Sequence, residues 1–398
     1  MTDKILSHPE LDIENIRKNA DFDRSRVHLD HAGASFLSKQ TVARMQQHLA
    51  LEAQVAGYVA QEQVAEELED TYSLLAKCFG AASSDYALTG SAVDSWTKLF
   101  YSTPIDKGQN IVTAHTEYCA NFVAMVHDQK RRGYEIRIAN RLDNGDIDLD
   151  HFDQLVDENT ALIALTWIGS SSGQILPASK VGEIAARKNA LYLLDACQAA
   201  GHIPVNFQTV GADMASGTAR KFLRGPRGVG FLYASEKARK ALNPVVMTNN
   251  SASWEATFEI KCRDDARLFE AWERSVMTVL GFRNALSEFH QMGIQALTDQ
   301  TRLVSNYIRR QLEAMNNVTI GCPPGSEGAI ITFNKDGLEA GDAKAAFEKQ
   351  GIAVNVASVF HTRLDLEARN IDSLIRISPQ YMTAQEEVDR FLDVLRAL

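Results

Sequence analysis

Between about residues 85 and 235, short apolar runs alternate with helical patterns, and this alternation restricts the fold more than any other feature of the chain. The apolar runs are NIVTAH, YEIRIA, ALIALTWI, LYLLD and VGFLYAS. Apolar stretches of strand length that are separated by helices are typical of a mainly parallel sheet with helices on its faces. This region therefore predicts an α/β domain.

The pattern changes after about Asp265. It predicts one long helical region that reaches Asn316, followed by shorter runs such as AIITFN, IAVNV and LIRIS, with helices between them. A chain of 398 residues also exceeds the size at which one hydrophobic core stops growing. We therefore predict a large α/β domain over residues 24–265 and a smaller C-terminal α+β domain over residues 266–398, on which residues 1–23 pack.

Charge and composition exclude several classes of function. The net charge of −10 is spread along the chain, which argues against nucleic acid or anionic lipid as a partner and favours a small molecule. No apolar run approaches the roughly 18 residues of a membrane span, and the charged start lacks the apolar core of a signal peptide. We expect a cytoplasmic protein without membrane contact. The five cysteines include no C-x-x-C pair, so neither a metal site nor a disulfide framework is expected.

The block LYLLDACQAAGHIPVNFQTVGADMASGTARKFLRGPRGVGFLYAS is the most informative part of the chain. Its first strand ends at Asp195, and Lys221 follows in a polar turn before Gly225, Gly228 and Gly230. A carboxylate at the end of a central strand points into the crevice where α/β sheets bind ligands. Pyridoxal 5'-phosphate (PLP) chemistry needs a lysine amine for a Schiff base and an acid that keeps the pyridine nitrogen protonated. We predict that Lys221 and Asp195 supply these two groups.

With these residues the chain resembles class V aminotransferase-type proteins, the group that includes cysteine desulfurases, selenocysteine lyases, kynureninase and isopenicillin epimerase. That family carries D-x-x-Q, then S-x-H-K or a variant, then G-P-x-G-x-G, and this chain has DACQ, TARK and GPRGVG in the same order. The resemblance runs from LDHAGAS to LIRIS. It implies the architecture of a fold type I PLP-dependent transferase, PLP as cofactor, an amino-acid substrate and a homodimer.

The resemblance also implies roles for individual residues. Gln198 falls where the family bonds the phenolic oxygen of the cofactor, and Thr218 falls where a hydroxyl contacts the phosphate. Arg220 replaces the family's usual histidine and is assigned as a phosphate contact. The turn at Gly90, Ser91 and Ala92 opens a helix, whose N-terminus suits a phosphate. Ser170 is a further candidate for cofactor binding.

Three more residues are candidates for catalysis or substrate binding. Tyr118 takes the place of the histidine that stacks on the ring in desulfurases, and its phenol offers a proton donor. Arg376, in LIRIS, matches the arginine that binds the substrate α-carboxylate, to which a guanidinium is well suited. Arg274 replaces a small-residue segment that completes the phosphate site across the family's dimer. It could read a second substrate carboxylate or form a structural ion pair.

The reaction must be chosen by residues other than the cofactor lysine. Cysteine desulfurases need a nucleophilic cysteine on a loop before the carboxylate arginine, and residues 354–371 contain none. Residues 51–60 and 220–228 resemble the β-lyases of ergothioneine biosynthesis, with ovothiol lyases as a close alternative. We predict a PLP-dependent C–S β-lyase in which Lys221 takes the α-proton and Tyr118 protonates the leaving sulfur. A class V aminotransferase or epimerase and a PLP-free scaffold remain alternatives, and a cysteine desulfurase is disfavoured.

Overall fold

The computed structural model describes Ile5 and residues 7–398. Its strands, in chain order, are Val27–His28 (β1), Tyr86–Thr89 (β2), Asn110–Ala114 (β3), Glu135–Ala139 (β4), Thr160–Thr166 (β5), Leu191–Asp195 (β6), Met214–Thr218 (β7), Gly230–Ala234 (β8), Ala252–Ala256 (β9), Glu259–Cys262 (β10), Val318–Ile320 (β11), Ile331–Lys335 (β12), Ile352–Ala353 (β13), Asn355–Ser358 (β14) and Ser373–Ile377 (β15). Its helices are Ile13–Lys18 (α1), Lys39–Val55 (α2), Gly57–Glu62 (α3), Ala65–Phe79 (α4), Ala92–Ser102 (α5), Cys119–Arg132 (α6), Leu149–Leu155 (α7), Ala178–Lys188 (α8), Phe207–Val210 (α9), Glu236–Ala241 (α10), Val276–Gln291 (α11), Ile294–Glu313 (α12), Ala340–Lys349 (α13), Arg363–Ala368 (α14) and Gln385–Ala397 (α15).

The larger sheet of the described residues has the strand order β2-β8-β7-β6-β5-β3-β4. All its pairings are parallel except those of β8, which runs antiparallel to both of its neighbours. Helices cover both faces of such a sheet, which explains why its inner strands read as continuous apolar runs. The mainly parallel α/β fold predicted from the sequence is confirmed.

The smaller sheet is antiparallel, with the order β11-β12-β15-β14. A second hydrophobic core lies beneath it, to which α12, α13 and α15 contribute Ile308, Phe347 and Phe391. The run IAVNV, read as one strand, is divided between two sheets, because β13 pairs with β1 and β14 pairs with β15. The limits 24–265 and 266–398 stay a prediction.

The prediction of one long helical region that reaches Asn316 is wrong in one respect. The region consists of α11 and α12, which are separated at Gly293, a residue with φ of 87°. This left-handed conformation is accessible to glycine at little cost and ends the first helix. As a result α11 packs on α2 and α4, whereas α12 packs on the smaller sheet.

The segment before residue 24 lies against the C-terminal part of the chain. Arg17 donates to the carbonyl oxygen of Met382 and forms a 2.7 Å ion pair with Glu387. The main-chain N–H of Ile5 donates to the Gln385 side chain over 2.7 Å. None of the helices in the described part of the chain is long and apolar enough to cross a bilayer.

Candidate active site

A cavity with an empty volume of about 540 Å³ lies where β5, β6 and β7 end and α5 and α6 begin. The crevice beyond the carboxyl ends of the strands is where α/β sheets of this kind bind ligands. Its walls are formed by Ser91, Ala92, Val93, Tyr118, Asn121, Thr166, Ile168, Ser170, Asp195, Cys197, Gln198, Thr218, Arg220 and Lys221.

Asp195 is the last residue of β6, and its buried carboxylate is held on both oxygens. Its Oδ1 accepts the N–H of Cys197 and its Oδ2 accepts the Asn121 amide, each over 2.8 Å. Burial raises the pKa of Asp195, whereas these two donors and the charge of Lys221 lower it. The carboxylate is therefore fixed in direction, and its remaining lone pairs can bind a protonated ring nitrogen.

Lys221 lies in a tight turn after β7 and only 8% of its surface is exposed. The turn is closed by the N–H of Arg224, which donates to the Lys221 carbonyl over 2.9 Å. Arg224 has φ of 56°, which costs a non-glycine residue roughly 1 kcal/mol. Its guanidinium offsets this cost by donating to the Phe36 carbonyl and to the Tyr381 hydroxyl. The turn therefore presents a buried amine to the cavity.

The N-terminus of α5 forms another wall. Ser91 is the N-cap, and its hydroxyl accepts the N–H of Asp94 over 3.1 Å. A Cβ atom on Gly230 would lie 2.5 Å from the Ser91 carbonyl carbon, so only glycine lets β8 approach this turn. Free N–H groups at the start of a helix suit a phosphate. Gly90 lies outside the cavity, and its N–H donates to the Asp94 carboxylate over 3.0 Å.

Two buried polar atoms of the cavity wall have no partner within the described protein, namely Gln198 Oε1 and Ser170 Oγ. Such atoms are rare in folded proteins unless a ligand or water satisfies them. The Gln198 amide group donates to the Ala32 carbonyl over 3.3 Å. The cavity therefore brings together an amine (Lys221), an acid (Asp195), the N-terminus of α5 and two polar atoms without a partner, which are the kinds of group that PLP requires. The residues present fit the cofactor.

Thr218 and Arg220 also reach the cavity, at the start of the turn that carries Lys221. The Arg220 guanidinium is hydrogen-bonded to the Gly33 carbonyl. Tyr118, the N-cap residue of α6, also lines the cavity, and burial raises its pKa to about 12. Its phenol therefore carries a proton at neutral pH.

Arg376 lies beside the cavity on β15. Its guanidinium donates to the carbonyl of Ser170 over 3.2 Å and forms a 2.9 Å ion pair with Asp30. Arg274 is not among the residues that line this cavity, and it forms a 2.9 Å ion pair with Glu270 and a hydrogen bond with the hydroxyl of Tyr72. Arg376 is thus hydrogen-bonded to a residue of the cavity wall. Arg274 forms a structural ion pair, which was one of the two alternatives that the sequence left open for it.

Several lining residues escaped the sequence-based reasoning, notably Asn121, Thr166 and Cys197. Thr166 ends β5 and pairs in register with Asp195. The run ALIALTWI was recognised as a strand, but it continues two residues beyond Thr166, so the sequence did not mark Thr166 as a strand end. Asn121 had no signal either, because its role depends on where α6 lies relative to β6.

The sequence model of the family described as "Aminotransferase class-V" matches residues 27–391 of the chain. Probable cysteine desulfurase 2 of Mycobacterium leprae is 30% identical over 353 residues, which are 84% of this chain and 83% of that protein. The apo structure of a cysteine desulfurase from Thermococcus onnurineus NA1 superimposes with a TM-score of 0.90 at 20% identity and covers 99% of both chains. The cystine C–S lyase C-DES, solved with cysteine persulfide, gives a TM-score of 0.83 at 18% identity over 94% of this chain and 97% of that one. The predicted cofactor, PLP, is confirmed, and the chain belongs to the class V aminotransferase family.

Proposed function

We propose that the protein is a PLP-dependent C–S β-lyase that cleaves a cysteine conjugate, in particular a cysteine sulfoxide, and releases pyruvate and ammonia. Ergothioneine or ovothiol biosynthesis would use such a reaction. The observation that carries the proposal is the absence of cysteine from residues 354–371, the loop on which a persulfide-forming desulfurase needs its nucleophile.

In the structure these residues form β14, a turn over 359–362 and α14, and the turn lies next to the cavity. The His361 carbonyl accepts the N–H of Cys119 over 3.2 Å, directly beside Tyr118. The Thr362 hydroxyl is hydrogen-bonded to the hydroxyl of Ser171, the chain neighbour of the lining residue Ser170. This turn is therefore hydrogen-bonded to the chain neighbours of two lining residues, Tyr118 and Ser170, and it offers no sulfur atom that could accept sulfur from a substrate.

Two cysteines outside residues 354–371, Cys119 and Cys197, lie near the cavity, and the environment of neither favours a nucleophilic thiolate. Burial raises the pKa of the Cys197 thiol, although the charge of Lys221 lowers it, and burial also raises the pKa of Cys119. The thiolate is the nucleophilic form of cysteine. Protonated thiols at these two positions disfavour persulfide formation at either of them.

The residues of the cavity suit β-elimination. Bound PLP would supply an electron sink that stabilises negative charge at the substrate α-carbon. Lys221 would remove the α-proton, and Asp195 would hold the charge of the pyridine nitrogen. Tyr118 would donate its phenolic proton to the oxygen of the sulfenate leaving group as the Cβ–S bond breaks, and Arg376 would bind the α-carboxylate. The products would be a sulfenic acid and 2-aminoacrylate, which water converts into pyruvate and ammonia.

Two further points bear on the reaction. The fold that the chain shares with C-DES supports C–S cleavage in that protein. By contrast, the curated relatives are named cysteine desulfurases, which makes desulfuration of free cysteine the competing reaction. Transamination and epimerisation use the same cofactor site and require only a different fate for the α-proton.

The test is to incubate the PLP-loaded protein with hercynyl-cysteine sulfoxide, with S-methyl-cysteine sulfoxide and with free cysteine. We expect pyruvate and ammonia in equal amounts from a sulfoxide. Lys221→Ala should abolish the release, whereas Lys237→Ala, which removes a lysine outside the cavity, should not. Alanine and sulfide from free cysteine, without pyruvate from the sulfoxides, would establish a desulfurase and refute the lyase. Amino transfer to a 2-oxo acid without pyruvate would establish an aminotransferase.

We also propose that the active protein is a homodimer. The β9–β10 hairpin exposes Trp254, Phe258 and Ile260, and Trp272 is exposed as well. Clustered exposed apolar side chains are typical of protein–protein contacts. Analytical ultracentrifugation tests this proposal, and a monomer at micromolar concentration would contradict it.

A further inference from the structure

The side-chain amide of Asn121 lies between two buried carboxylates. Its Nδ2 donates to Asp195 Oδ2 and to Glu117 Oε1, each over 2.8 Å. An amide has one oxygen and one NH₂ group, and only the NH₂ group can face a carboxylate favourably. Both N–H bonds of Asn121 are therefore used on acids.

Glu117 is fixed by further donors from two strands and from the start of α6. Its Oε1 also accepts the Thr166 hydroxyl over 2.6 Å and the N–H of Tyr118 over 3.0 Å, while its Oε2 accepts the Thr113 hydroxyl over 3.0 Å. Only 3% of its surface is exposed. A buried carboxylate that accepts four hydrogen bonds has no freedom to turn, so its Oε1 is a fixed acceptor for Asn121.

We propose that Glu117 and Asn121 are positioning residues that set the direction of the Asp195 carboxylate. Glu117 determines which end of the Asn121 amide faces Asp195, because the amide oxygen would be repelled by Oε1. Asn121 then holds Oδ2 of Asp195, while the N–H of Cys197 holds Oδ1 over 2.8 Å. The lone pairs that remain on Asp195 are directed into the cavity. This role serves the binding of PLP and does not depend on which reaction follows.

The electrostatics agree with this arrangement. Burial raises the pKa of Glu117 and of Asp195, and the hydrogen bond from Asn121 lowers both. The negative charge of Asp195 also raises the pKa of Glu117, which places the two carboxylates within electrostatic reach of each other. An isosteric acid at position 121 would place three carboxyl groups together in a buried site without a donor between them.

The test compares PLP affinity and the visible absorbance of bound PLP in purified variants. Asn121→Asp keeps the shape of the side chain but removes both donors, and we expect PLP affinity to fall about tenfold to a hundredfold, the scale of a lost hydrogen bond to a charged group, with a shifted absorbance maximum. Asn110→Asp is the matched control. Asn110 is also buried and donates to a carboxylate, that of Asp157, over 2.9 Å, but it lies at the amino end of β3. Asn110→Asp should therefore leave the affinity for PLP and the absorbance of bound PLP unchanged.

A second pair of variants decides the question even when Asn121→Asp does not fold. Glu117→Gln keeps an oxygen that can accept from the three donors of Oε1, and its new amide NH₂ group can donate to the Thr113 hydroxyl. The PLP affinity of this variant should therefore be within about threefold of the wild-type affinity. Glu117→Leu removes the acceptor and should lose affinity as Asn121→Asp does. Unchanged affinity and absorbance in Asn121→Asp, or in Glu117→Leu, would overturn the proposal. Loss of pyruvate release with normal PLP binding would count against the lyase reaction and not against this role.

Discussion

Asp195→Asn removes a buried negative charge and keeps nearly the same shape. In the native site both carboxylate oxygens accept hydrogen bonds of 2.8 Å, and an asparagine offers only one acceptor to these two donors. The larger loss concerns the ring nitrogen of PLP. Two charges about 4 Å apart at an effective dielectric constant of about 20 interact by about 4 kcal/mol. At about 1.4 kcal/mol for each factor of ten, turnover should fall roughly 10²–10³-fold.

The assay measures turnover under saturating substrate and excess PLP, together with the visible absorbance of the bound cofactor. Asp213→Asn is the matched control, because the Asp213 carboxylate also accepts a main-chain N–H, that of Tyr192, over 3.0 Å but does not line the cavity. We expect it to retain normal turnover. If Asp195→Asn retained turnover within about threefold of the wild type, the assigned role of this carboxylate would be wrong.

Two further predictions concern stability. Burial lowers the pKa of His202 to about 4 from its ordinary 6.5, so the unfolded chain binds a proton at this histidine before the folded chain does as the pH falls. The free energy of unfolding should therefore drop by up to about 3 kcal/mol between pH 6.5 and pH 4. Urea unfolding should show a weaker pH dependence in His202→Gln. A Cβ atom on Gly182 would lie 2.0 Å from the Val210 carbonyl oxygen, whereas one on Gly341 would meet nothing within 4 Å. Gly182→Ala should therefore lower the free energy of unfolding by about 1–3 kcal/mol. Gly341→Ala, also in a helix, should raise it by up to about 1 kcal/mol. Equal effects of the two variants would contradict the close packing of Gly182 on Val210.

The sequence alone determined the class of fold and the cofactor chemistry. Apolar runs such as LYLLD are local signals, because a strand buried on both faces needs apolar residues at every position. Asp195 could be found for the same reason, because it ends the recognisable strand LYLLD, whereas Lys221 was identified from the motif that the chain shares with class V aminotransferase-type proteins. By contrast, β7 went unrecognised because its sequence, MASGT, is poor in large apolar residues. Gly217 is small there because a Cβ atom would lie 2.2 Å from the Phe231 ring.

The partners of the site residues were decided only by the tertiary structure. The sequence did not predict that Asn121 would hold Asp195, that Arg376 would pair with Asp30, or that Gly90 would lie outside the cavity. These contacts join residues on different elements, and hydrogen bonds need donor and acceptor within about 3 Å and in line. Periodicity and motifs identify which residues have the right chemistry. The order of the strands and the placement of α6 decide which of them meet.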